Sequence, residues 1–329
     1  MRTLRVCLVL LIAQSGAWAA DAALLGLVMP DAKAIAGVQV AQAKASPFGQ
    51  YVLTHMQPDD ASFTQFMTQT GFDPRRDLTE IVMASNATTD LTEHFLVVAR
   101  GSFDLAKITA AAKQNGGRLD TFMGVTIVST GTPATNDANT VVGFPDQTTA
   151  IMGDIDNVHA TIQRFLDKSI PSFSATAFLS KVQTLSAAND FWFLTLVPVS
   201  EFAALMPDPN LGQAMNGKLF QAINQVSGGM KFGDNVQVRM QAICRSEKDA
   251  AALADVVRFI VGLIQSNKPP NGTAPGQVST LLDNLNLSTT GSTTNIALTV
   301  PEATLEQIFD TAKTQPQTVR TKRPGAPVQ

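Results

Sequence analysis

The chain has 329 residues, with 24 Lys and Arg against 27 Asp and Glu, a formal net charge of −3, and 45 % hydrophobic residues. That length and apolar content suffice for a sizeable buried core, and the mild acidity gives no basic footprint for nucleic acid. Two Trp and one Tyr against 18 Phe argue against a stacking site for sugars or bases.

Residues 1–19 read as an export leader, a signal peptide. Arg2 and Arg5 form a basic start, Val6 to Ala13 a short apolar run, and Ala17-Trp18-Ala19 a small-x-small cleavage signal. The run is far short of the roughly 20 residues that span a bilayer, and cleavage is expected after Ala19 or Ala20. No later stretch is long and apolar enough to span a membrane either. Cys7 precedes the apolar run, the wrong place for a lipid-bearing cysteine. Without the leader, 22 basic side chains face 27 acidic ones, a net charge of −5. The remaining chain keeps one cysteine, Cys244, so it has no internal disulfide and relies on its core.

After a lead over 20–30, a first half is expected over 31–168. Ala34 to Val40 reads as a strand, followed by helices over Ser46 to Met56 and Ala61 to Thr70. Glu80 to Ala84 and Phe95 to Arg100 read as strands of a long-looped hairpin, and Asp104 to Gln114 as a helix stopped by Asn115-Gly116-Gly117. Arg118 to Asp120 with Val125 to Val128, and Thr140 to Phe144 with Thr149 to Met152, read as two hairpins. A helix over Ile155 to Leu166 follows.

Residues 169–174 are the expected linker, and 175–313 the second half. Its elements are a helix over Ala175 to Leu185, a strand over Phe191 to Val197, helices over Ser200 to Met206 and Leu211 to Val226, and a strand near Met230 to Phe232. The clearest unit is Val236 to Ser266. Val236, Val238, Met240, Ala242 and Cys244 alternate with mostly polar residues, as on a strand with one buried face. Ser246 and Asp249 then resemble a capping box, and Leu253, Val257, Ile260 and Ile264 recur at helical spacing. Leu281 to Leu287 and Asn295 to Val300 bracket STTGSTT as a hairpin, Pro301 opens a helix over Glu302 to Lys313, and a Pro-rich, disordered tail is expected over 314–329.

Six strand-to-helix junctions share one grammar, three in each half, among them FLVVARGSFDLAKI and IALTVPEATLEQIF. The expected fold is α+β: two related halves, mainly antiparallel sheets with helices packed on one face. In layout the chain resembles secreted bacterial proteins of unknown function with a duplicated α+β body. That resemblance carries no diagnostic motif, so it implies no functional residues.

No nucleophile elbow, Cys-x-x-Cys, His-Glu-x-x-His, Walker loop or dinucleotide fingerprint occurs. Three histidines remain: His55 at a helix end, His94 and His159. Asp90, Glu93 and His94 are the nearest approach to a metal cluster, with fewer N or S ligands than zinc normally has. Asp154, Asp156 and Asn157 offer oxygen ligands but read as a capped helix start. Asp73-Pro74-Arg75-Arg76-Asp77 reads as an anion site or as a turn of self-paired charges. Cys244 reads as a core residue. No catalytic, cofactor or metal residues are therefore assigned, and no cofactor is expected. The expected function is a non-enzymatic, periplasmic or extracellular binding or envelope-associated protein. Its partner is an apolar small molecule or an envelope protein, and not nucleic acid. The alternatives are an exported hydrolase with a site assembled from distant residues, and a chaperone or assembly factor.

Overall fold

The computed structural model describes residues 20–55, 61–86, 94–129, 140–168, 176–199, 201, 217, 219–266 and 281–314. In chain order, helix α1 (Ala22–Leu25) is followed by β1 (Ala34–Val38), α2 (Val40–Ala45), α3 (Pro47–His55), α4 (Ala61–Thr70), α5 (Pro74–Asp77), β2 (Leu78–Ser85) and β3 (Phe95–Gly101). Then come α6 (Leu105–Gln114), β4 (Arg118–Phe122), β5 (Val125–Ser129), β6 (Thr140–Asp146), β7 (Thr149–Asp154), α7 (Ile155–Asp167), α8 (Thr176–Ala188) and β8 (Phe191–Thr195). Last are β9 (Ile223–Lys231), β10 (Asn235–Cys244), α9 (Glu247–Ser266), β11 (Asn286–Thr290), β12 (Thr293–Pro301) and α10 (Glu302–Thr314).

The strands of the described residues form one twelve-stranded sheet in the order β11-β12-β10-β9-β8-β1-β2-β3-β7-β6-β5-β4. Every neighbouring pair is antiparallel. The fold is therefore α+β on a single antiparallel sheet. Outward from the central β1–β8 pair, one arm runs β1-β2-β3-β7-β6-β5-β4 and the other β8-β9-β10-β12-β11. In both arms three strands in chain order lead into a helix, α6 or α9, and the strands after it return so that the last lies beside the third.

Side chains alternate between the faces of a strand, so the register fixes two faces. On the first, Trp192, Gly37, Val82, Val98 and Ile151 stand side by side across five strands. Helix α1, with Leu24 and Leu25, α7, with Val158 and Ile162, and α8, with Phe178 and Val182, cover that face in one cluster. Gly37 is required there by close approach: a Cβ at this position would lie 2.3 Å from the Trp192 ring. On the second face the matching row is Met240, Gly228, Phe193, Ala36, Met83, Val97 and Met152. Helix α6, through Ile108, and Phe103 just before it cover one end of it against Val128 and Phe144. Helix α9 covers the other end through Ala250 and Leu253 against Ala242 and Cys244.

Local chemistry sets the helix boundaries. Asp104 caps α6 by accepting the Lys107 N–H, Asp154 caps α7 by accepting that of Asn157, and Ser246 caps α9 by accepting that of Asp249. Met123 and Gly124, both at positive φ, make the two-residue turn between β4 and β5 that matches strand twist.

Several expectations need correction. Helices lie on both faces of one sheet, not on one face of two sheets. A sheet with apolar residues in both phases exposes two surfaces that need cover. The helix expected over Leu211 to Val226 does not reach its end, because Ile223 to Val226 begin β9, where hydrogen bonds to β8 and β10 on either side outweigh local helix propensity. Gly228, which precedes the expected strand, lies inside β9, where a Cβ would lie 2.6 Å from the Arg239 carbonyl oxygen and 3.1 Å from the Phe193 ring. In the last hairpin the strands extend into STTGSTT, and only Gly291-Ser292 turns, since threonine favours strands. The strand expected over Leu281 to Leu287 begins only at Asn286, after a 3-10 turn at Leu282–Asn284. Val40 leaves the first strand to start α2. The leader over 1–19, the linker over 169–174, most of the expected helices between 200 and 218, and the tail beyond Thr314 lie outside the described residues.

Candidate functional site

Between α6 and α9 the middle of the second face forms an apolar trough. One cavity of about 430 Å³ sits over the central strands, lined by Ala36, Met83, Val97, Phe193, Val199 and Val226 among others. A second of about 490 Å³ lies under α4 and α6, with Phe66, Phe72, Ile81, Phe103 and Met152 in its wall. Val97 borders both. The strands supply this surface because their second phase is as apolar as their first, a consequence of runs such as EIVMA and FLVVA. Met83 is 51 % exposed although it sits on an inner strand, whereas its neighbour Val82 on the first face is fully buried.

Two hydroxyls that line the trough are bonded locally. Thr195 Oγ1 accepts the Val197 N–H, and Thr70 Oγ1 donates to the Phe66 carbonyl while accepting the Phe72 N–H. The arrangement can hold apolar matter by contact and desolvation, in a volume typical of small-molecule sites. No helix of the described residues is long and apolar enough to cross a membrane.

The sequence's candidate residues are not brought together. Asp73 and Asp77 pair with Arg75 and Arg76 at 2.8 and 2.7 Å, and these bonds hold both carboxyls below the usual range, so the cluster is a self-paired turn. Asp154 caps α7 through Asn157, with Asp156 beside it in the first turn. His159 stacks on Phe122 at 3.9 Å, and His55 ends α3. His94 precedes β3, while Asp90 and Glu93 lie outside the described residues. Among the described residues no group of three or more His, Cys, Asp or Glu is placed to hold a metal ion. Cys244 is buried, and burial pushes its thiol pKa up.

One charged cluster escaped sequence reasoning. Glu80 is 7 % exposed on the first face, in phase with Val82 and Ala84. It accepts from the Asp21 backbone N–H at 3.2 and 3.3 Å and from Gln39 Nε2 at 3.1 Å. Arg100, next to it in the register, donates to Asp21 Oδ2 at 2.9 Å and to Thr149 Oγ1 at 2.6 Å. Burial pushes the Glu80 pKa up to about 7. The available signal was a carboxylate on the apolar phase of a strand.

No family model matches the sequence, and no curated protein matches it. Among solved structures, one described as crystal form I of TP0453 is similar, at 12 % identity and a TM-score of 0.49, over 87 % of this chain and 96 % of its own.

Proposed function

We propose that this is an exported, non-enzymatic binding protein that holds an apolar small molecule in the trough on the second sheet face. The observation that carries this reading is the pair of adjoining cavities, about 430 and 490 Å³, over a sheet surface on which Met83 stays half exposed. An uncovered apolar surface of that shape is unfavourable in water and becomes favourable once occupied. The leader pattern at residues 1–19 supports export to the periplasm or beyond.

The test is to purify the protein from its own cell envelope, extract it with organic solvent and identify what is released by mass spectrometry. An apolar molecule in near-stoichiometric amount is expected. Val97→Asp, on the border of both cavities, should weaken retention at least about tenfold, because a carboxylate there must lose its hydration. An empty wild-type protein, or equal retention by a folded Val97→Asp variant, overturns the reading.

A protein partner in the envelope is a second reading, supported by Phe259 and Ile264 of α9, 66 % and 38 % exposed. Crosslinking from a photoreactive residue at position 259 tests it, and an uncrosslinked protein in intact cells counts against it. The two arms of the sheet further support an origin from two related halves, the first carrying the extra hairpin β4–β5. A crystal structure whose halves fail to superimpose over most of their strands in order would refute the duplication.

A further inference from the structure

The N-terminal segment is part of the core: Ala20, Leu24, Leu25 and Val28 are all buried. Its first residues lie on Glu80, a carboxylate more than nine-tenths buried that makes no ion pair among the described residues. Arg100 is the cation nearest to it in the register, and its guanidinium bonds are made to Asp21 and Thr149. Glu80 instead receives neutral donors, the Asp21 N–H and the Gln39 amide. A buried carboxylate held by neutral donors lacks full compensation for its lost hydration.

We propose that removal of the leader completes this site: the new α-amino group, at Ala20 or Asp21, becomes the buried cationic partner of Glu80 and locks the N-terminal segment onto the sheet. A peptidase adds water across the Ala19–Ala20 or Ala20–Asp21 peptide bond. The leader departs with a carboxylate, and the freed nitrogen takes up the proton as an ammonium, since α-amino groups titrate near 8. A cut after Ala20 turns the very nitrogen that now donates to Glu80 into an ammonium. A cut after Ala19 places it one residue away, about 3.8 Å along the chain. The Asp21 nitrogen lies at hydrogen-bond distance from the carboxylate and an Ala20 terminus is its chain neighbour, and burial makes such a pair stronger than one at the surface. Processing then acts as a folding switch: the leader-bearing chain holds the same carboxylate without its partner.

The inference takes the existence of the new terminus from the export reading, while the consequence stands on geometry, so the experiment separates them. The chain from Ala20 onward, which carries every described residue, is prepared with a free amine, with an acetylated amine and with a Gly-Ser extension, each with Glu80 intact or as Glu80→Gln. At pH 7 the free-amine form should melt about 3 °C or more above the other two, and the gap should vanish in Glu80→Gln. Equal melting of the three forms, or an unchanged gap in Glu80→Gln, overturns the proposal. Should Glu80→Gln not fold, the α-amino group is titrated by NMR in the intact chain, with Asp21, Arg100 and Glu80 as the charged groups around it. A pKa about one unit or more above that of the unfolded chain is expected, and an ordinary value overturns the proposal. The mass of the chain recovered from the envelope tests the leader separately. Retention of Met1 overturns the export reading and the proposal with it, whereas a processed chain with no amine effect overturns the proposal alone.

Discussion

The two faces of the sheet use nearly the same residue types and reach opposite ends. On the first, Trp192, Val82, Val98 and Ile151 are fully buried beneath α1, α7 and α8. On the second, Met83 and Met152 in the same strands stay 51 % and 37 % exposed between α6 and α9. Composition does not distinguish them; cover does. A helix contributes stability only where its apolar stripe meets the sheet, and the gap between two such helices becomes a site.

Substitutions that touch one face and spare the other sharpen this comparison. The largest effect is expected from Trp192→Ala, which empties the sealed face at its centre. It should lower unfolding stability by about 3–5 kcal/mol in urea titration, and a loss below about 1 kcal/mol would break the contrast between faces.

Next is the pH response of Glu80 in a chain whose backbone continues through Asp21, as before leader removal. Its folded pKa of about 7 lies above the ordinary 4.5, so the folded state holds the proton more tightly. The stability associated with the protonated form is fully present below about pH 4.5 and is lost as pH rises through about 7. The loss is roughly 3 kcal/mol, with Asp21 and Arg100 the other charged groups contributing. Comparing unfolding at pH 5 and pH 8 measures it, and Glu80→Gln should flatten the difference.

Gly37→Ala should cost about 1–3 kcal/mol, because the added Cβ meets the Trp192 ring at 2.3 Å inside a packed layer. The smallest effect is expected at Met83→Ser on the open face, within about 0.5 kcal/mol by the same urea titration. A loss comparable to that of Trp192→Ala would mean that the second face is sealed in solution.

Several of these elements were legible in the sequence. The phase of Val238, Met240 and Ala242 put Cys244 on the buried side of β10, and the expected helix start at Asp104 and the caps read at Asp154 and Ser246 fell within a residue of three helix starts. Strand β9 was only partly legible: a strand was expected near Met230 to Phe232, and its earlier part holds Gly228, close to the Arg239 carbonyl and the Phe193 ring, and Gly229, close to the Asn189 side chain. The trough was not legible either, since its walls come from β1, β2, β3, β8 and β9, which are far apart in the chain. Glu80 stood in plain view on an apolar phase, but its partners Asp21 and Gln39 lie 59 and 41 residues away.

The sequence by itself determined the period of most strands, the capped starts of several helices and the mixed α+β composition, because these rest on neighbours within one turn or one pleat. Tertiary structure alone decided that the strands of the described residues join in one sheet, which helix covers which face and which carboxylate is buried. Those outcomes depend on register between distant segments, and a shift of one residue in register exchanges the faces without changing any local preference.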